Sequence, residues 1–167
     1  HGISVRRIMY PYNMQNAFPC FDSSPVFVTY PTLALCSSAN NAHSNNAIDL
    51  DGDDISYSFA APYDNTSPAG TWNPPSDPAP LVFLSPYSVN DPLPGINDLD
   101  SITGRVCVGD NVQGEFVSCL KVESRRNGIV VAEVYRDIQQ VLLPCGTTTP
   151  MLINGDTTNC SSLLLTD

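Results

Sequence analysis

Gly114-Glu115-Phe116-Val117-Ser118-Cys119-Leu120-Lys121-Val122-Glu123-Ser124-Arg125-Arg126-Asn127-Gly128-Ile129-Val130-Val131-Ala132-Glu133-Val134-Tyr135 sets two β-rich runs on either side of an Asn-Gly pair. Asn and Gly both tolerate positive φ, so the pair favours a two-residue primed turn and a β-hairpin. In the first run Phe116, Leu120 and Val122 share one face, with Lys121 and Glu123 on the other. The second run is rich in β-branched residues. One strand is therefore expected near 114–124 and its partner near 129–142.

The same alternation recurs upstream. Ile55, Tyr57 and Phe59 fall on one side of a strand, Ser56 and Ser58 on the other. Further strands are expected at 25–30, 32–36, 54–60, 81–84 and 103–108. Fifteen prolines and ten glycines are spread through the 167 residues, which leaves little room for long helices. Short strands separated by turn chemistry imply an all-β, antiparallel β-sandwich. Residues 20–145 read as the sandwich module. Residues 1–19 are an N-terminal segment, a candidate strand of a preceding module, and 146–167 a linker or the start of a following one. Between 61 and 80, Pro62, Pro68, Pro74, Pro75, Pro78 and Pro80 stiffen a long crossing loop.

Seventeen acidic residues against seven basic ones give a formal net charge of −10. Binding nucleic acid needs basic surface against phosphate, so no nucleic-acid partner is expected. No run approaches the roughly 20 apolar residues that span a bilayer, so no membrane span is expected. The six cysteines, Cys20, Cys36, Cys107, Cys119, Cys145 and Cys160, form no CxxC pair. Their even number points to disulfides made outside the cytosol. Cys107 and Cys119 flank a turn-like segment and are expected to pair across a hairpin. Cys20 or Cys36 would then tie an N-terminal strand to Cys145 or Cys160.

Asp49-Leu50-Asp51-Gly52-Asp53-Asp54 carries the most chemistry. Alternate carboxylates in an extended segment point the same way, and Gly52 lets the chain bend to bring in a third. Hard oxygens so placed suit calcium, with Asp49, Asp51 and Asp53 as ligands. The competing reading is that Asp51-Gly52 is a tight turn leading into the strand at Ile55, with the carboxylates there for their turn propensity. An EF-hand is excluded because its twelfth position is Ala60, not Glu. Of the two histidines, His43 lies in an Asn/Ser-rich stretch and reads as a solvated loop residue. The acids fall in turn sequences, where exposure would leave them unperturbed. No catalytic residue is expected. Trp72 and Tyr63 are candidate platforms for stacking on sugars, or covers for one end of the core.

Four segments together resemble a known family: Ser23-Ser24-Pro25-Val26-Phe27; Ala47 through Ser58; Asp100-Ser101-Ile102-Thr103-Gly104; and Gly114-Glu115-Phe116-Val117 through Arg126-Asn127-Gly128 to Arg136-Asp137-Ile138-Gln139. Their order and spacing are similar to the cadherin-like, PKD-like modules of gliding-motility-associated bacterial surface adhesins. The resemblance implies an Ig-like sandwich, export by the type IX secretion system, and an extracellular place on the bacterial cell surface. It also implies neighbouring modules of the same chain or assembly as partners, with surface glycans a further one. Cadherin-like calcium ligation would fall on Asp49, Asp51 and Asp53. Ser101 and Thr157 match the short Asp-Ser/Thr pattern that such bacteria O-glycosylate. Where related modules carry a cysteine after the Tyr-Ser strand, this chain has Ala60-Ala61, which favours Cys107 as partner of Cys119. The expected role is a non-catalytic structural or adhesion module. A carbohydrate-binding module or a subunit of an extracellular filament is the alternative.

Overall fold

The computed structural model describes residues 5–10, 22–37, 41–63, 78–109 and 112–144. Among the described residues ten strands run in order: β1 (Val5–Met9), β2 (Val26–Phe27), β3 (Ala34–Cys36), β4 (Asn41–Ser44), β5 (Ala47–Ile48), β6 (Asp54–Ala60), β7 (Ile96–Leu99), β8 (Arg105–Gly109), β9 (Gly114–Arg126) and β10 (Ile129–Leu143). There is no helix among the described residues. The fold is all-β and its ladders are antiparallel, except where β3 runs parallel to the end of β10.

The β9–β10 hairpin is the frame. Its turn is Asn127-Gly128, with φ of 52° and 79°, and Arg126 pairs with Ile129. These angles are those of a primed turn, so the Asn-Gly expectation holds. β6 pairs along β9 and β1 along β10, giving the path β1-β10-β9-β6. The five residues of β1 thus complete this sheet, with Val5 opposite Arg136 and Met9 opposite Ala132. A second, three-stranded sheet runs β4-β8-β7, and β2 pairs with β5 as a short ribbon.

Two apolar clusters join the layers. Val106 and Val108 of β8 meet Leu35 of β3, Leu142 of β10 and Leu93, with Phe116 against them. Tyr57, Leu120 and Val122 meet Ala47, with Phe27, Ile55 and Phe59 alongside. The faces read from alternation in β6 and β9 are therefore the buried faces. Fully burying an aliphatic or aromatic side chain contributes about 1.5–3 kcal/mol, so these clusters are the main stabilising term.

Several expectations need correction. Residues 81–84 form no strand. Val82 and Leu84 are 86% and 82% exposed, and Pro78, Pro80 and Pro86 remove donors around them. The strand at 103–108 starts two residues later, because Gly104 sits at φ +68. Only Val26 and Phe27 of 25–30 pair.

Cys107 and Cys119 are buried thiols that are not joined to each other. The hairpin across which they were expected to pair is not formed, because β8 and β9 belong to different sheets. Val106, Val108 and Leu120 point into the core, so strand alternation turns both sulfurs to the outer faces of their sheets. Cys36 is disulfide-bonded. Cys20, Cys145, Cys160, Trp72 and Thr157 lie outside the described residues.

His43 is not a solvated loop residue. It lies in β4 opposite Val106 and is 4% exposed, with its Nε2 3.3 Å from the Gln140 side-chain nitrogen. Nor do all acids sit in turns. Glu133 and Asp137 are buried on β10. Glu133 accepts hydrogen bonds from Tyr10 (2.9 Å) and Tyr135 (2.8 Å).

Candidate functional site

The acidic Asp49–Asp54 stretch lies at the hairpin end of the molecule, because Asp54 pairs with Arg125 in the β6–β9 ladder. That register brings Arg126 against Asp53. Its guanidinium donates from Nε to Asp53 Oδ1 (2.8 Å) and from Nη2 to Asp53 Oδ2 (2.6 Å), a bidentate pair. The same Nη2 donates to Asp22 Oδ1 at 2.7 Å. One arginine thus fastens three segments: the chain entering β2, the β5–β6 turn and the hairpin end.

The other two aspartates are held differently. Asp49 Oδ1 accepts from the backbone nitrogens of Asp51 (2.9 Å) and Asp53 (3.3 Å), and Gly52 turns at φ +77. Asp49 thus closes a tight turn leading into β6. Asp51 Oδ2 accepts from both the backbone nitrogen and the hydroxyl of Ser23, each at 2.5 Å. Those bonds hold the Asp51 carboxyl below the usual carboxylate range. Burial pushes Asp22 the other way, against the pull of Arg126.

The side chains of Asp22 and Asp53 are 9% and 7% exposed. Two carboxylate oxygens, Asp22 Oδ2 and Asp49 Oδ2, are buried without a hydrogen-bond partner. A buried, unmatched carboxylate oxygen costs more than the net worth of a made bond. Among the described residues no three His, Cys, Asp or Glu converge as a ready-made metal cage. The sequence therefore located Asp49, Asp51 and Asp53 together, but two central members escaped it. Asp22 lies 27 residues before Asp49, and Arg126 was read only as part of a turn.

Removing the arginine is informative. Arg126→Ala strands two mostly buried carboxylates, but Arg126 itself is 21% exposed, so water and salt soften the loss. A drop of about 2 kcal/mol in urea unfolding is expected. A change within error would mean the clasp carries no net stability.

The remaining candidates are placed as follows. The Tyr63 ring lies 4.7 Å from the Arg6 guanidinium, and its hydroxyl accepts a hydrogen bond from Arg6 Nη1. Arg6 also stacks at 4.0 Å on Tyr135, so Tyr63 helps fasten β1 to the sheet. Ser101 is exposed, while its carbonyl accepts from Tyr57 N at 2.9 Å. Burial pushes the Cys119 thiol up, and neighbouring Asp137 adds to it, so the sulfur stays protonated at neutral pH. A shallow hollow of about 350 Å³ opens between β6 and β7, lined by Tyr57, Ser58, Phe59, Asn90, Asp98 and Leu99. No family model, curated protein or solved structure matches the chain.

Proposed function

We propose that this chain is a non-catalytic structural and adhesion module of a secreted, multi-domain bacterial surface adhesin. In this reading it is an Ig-like, cadherin-like β-sandwich stiffened by disulfides and by calcium. The observation that carries it is the acidic hairpin end, where Arg126 clasps Asp22 and Asp53 beside the Asp49–Asp51 turn. The clasp binds the entry, the turn and the hairpin end into one rigid pole, which is what a load-bearing module needs where it meets a neighbour. The Cys36 disulfide supports an oxidising setting.

The donor set fits calcium in part. Asp22 and Asp49 each offer a buried oxygen without a partner, and Asp51 lies in the same turn, but the three do not converge as a ready-made cage. Asp53 is spent on Arg126, so Asp22 takes its place in the expected ligand set. Calcium would supply the positive charge that these oxygens lack. Chelator is expected to lower the melting temperature of the full chain, and Asp51→Ala to abolish that difference. Identical melting curves with and without chelator would leave the Arg126 guanidinium, not a metal ion, as what holds Asp22 and Asp53.

The adhesion role has its own test. Beads coated with the full chain are expected to attach to glycan-bearing and bare surfaces more than albumin-coated beads do. Equal attachment would remove this role. The carbohydrate reading gains nothing from Tyr63, whose ring and hydroxyl are both engaged by Arg6.

A further inference from the structure

β1 is the outer strand of the main sheet, and among the described residues no strand pairs with its far edge. Tyr10 N donates to Val131 O at 2.8 Å, which fixes the alternation: Arg6 and Ile8 bond inward to β10. The backbone groups of Val5, Arg7 and Met9 therefore point outward. Their side chains are exposed as well, Val5 at 66% and Met9 at 48%, with Arg7 between them. An unprotected edge of this kind is a template for another strand.

Apolar surface continues beside it. Arg136, opposite Val5, donates to Thr29 O at 2.9 Å, and Val141 N donates to Leu33 O at 2.7 Å. The segment 29–33 thus follows the same side of β10. It exposes Tyr30 at 96% and Leu33 at 53%, with Val28 at 54% just before it. β6, at the other end of the sheet, is protected, because Ser101 O already takes its Tyr57 N–H.

The charge at the β1 edge is unusual for this chain. Only seven basic residues oppose seventeen acidic ones, yet Arg7 stands at the middle of the edge. Pairing β1 with β1 of a second copy about a twofold axis would set Arg7 against Arg7, and directly opposed like charges destabilise. The complementary occupant is an extended, apolar and acidic segment. Residues 146–167 have that chemistry: Met151-Leu152-Ile153 and Leu163-Leu164-Leu165, with Asp156 and Asp167 and no lysine or arginine. Along the edge of β10, β3 lies between the strand's end at Leu143 and β1, so the tail of a second copy is the occupant that reaches the β1 edge without crossing β3.

We infer that the β1 edge accepts residues 146–167 of a second copy by strand addition, linking copies head to tail. This gives the module reading a partner and rests on it only for its setting. Failure of self-association would leave the bead-attachment result untouched.

The test uses full-length chains in sedimentation velocity. Arg7→Pro removes an outward N–H and spares the Arg6 and Ile8 bonds to β10. Arg7→Glu reverses the charge without touching the backbone. Leu164→Asp spoils the tail and leaves the edge intact. Concentration-dependent association is expected for the native chain, and at least a tenfold weakening in each variant. Mixing Arg7→Glu with Leu164→Asp should then restore a one-to-one pair, since one brings a good tail and the other a good edge. A native chain that stays monomeric, variants that associate as well as the native chain, or a mixture that fails to pair would each overturn the proposal.

Discussion

Gly104→Ala is expected to cost about 3 kcal/mol of stability, more than any ordinary loop substitution. Gly104 sits at φ +68, where an L side chain is strained by about 1–2 kcal/mol. A Cβ there would also stand 2.6 Å from Tyr57 Cε1 and 2.8 Å from Cδ1 and Cζ. The ring has nowhere to retreat. Tyr57 is 5% exposed, packs with Leu120 and Val122, and its hydroxyl accepts from Ala47 N at 2.8 Å. The glycine backbone is pinned too, since its carbonyl accepts from Asn45 N and its nitrogen donates to Asp100 O. Gly52→Ala is the control. It has a similar φ, +77, but open space around the added carbon, so only about 1 kcal/mol should be lost. Urea unfolding of both variants decides the matter. Equal losses would mean that Tyr57 yields freely and that φ strain alone matters.

The contrast between these glycines shows what the sequence could reveal. Asn127-Gly128 was legible because a primed turn is a local affair: two residues and their neighbours settle it. β6 was equally legible, because its period-2 alternation is written in seven consecutive residues. β4 and β5 were not. Their sequence, Asn41-Ala42-His43-Ser44 and Ala47-Ile48, is polar and short. They become strands by pairing with β8 and β2, distant in sequence or separated by loops. Asn45 and His43 tolerate burial only because Arg136, Gln140 and the Gly104 carbonyl meet them there. The same limit hid part of the site. Three aspartates in one turn can be seen in a line of sequence. That Arg126 would reach across to them, and to Asp22, depends on ladder register. The Cys107–Cys119 expectation failed for a related reason: turn-like residues between two strands do not say whether the strands share a sheet.

Acid should weaken this protein through His43. Burial, with Arg136 as a lesser cause, lowers its pKa from 6.5 to about 4. The unfolded chain therefore binds a proton that the folded chain refuses throughout that window. Stability from this residue is complete above pH 6.5 and is lost as pH falls toward 4. A depression of this size corresponds to about 3 kcal/mol at most, at 1.36 kcal/mol per pH unit. The surroundings explain why relief is hard to find. Arg136, itself lowered to about 10 by burial, brings another positive charge, and Gln140 from β10 offers a side-chain amide at 3.3 Å. The His43 Nδ1 is buried with no partner, so a proton added there would have nothing to donate to. Carboxylates also titrate in this range, so the comparison must be differential. In His43→Gln, which keeps an amide beside Gln140 but cannot titrate, the loss between pH 7 and pH 4 should shrink by about that amount. If native and variant chains lose the same stability over those pH values, the buried imidazole is not what makes the protein acid-sensitive.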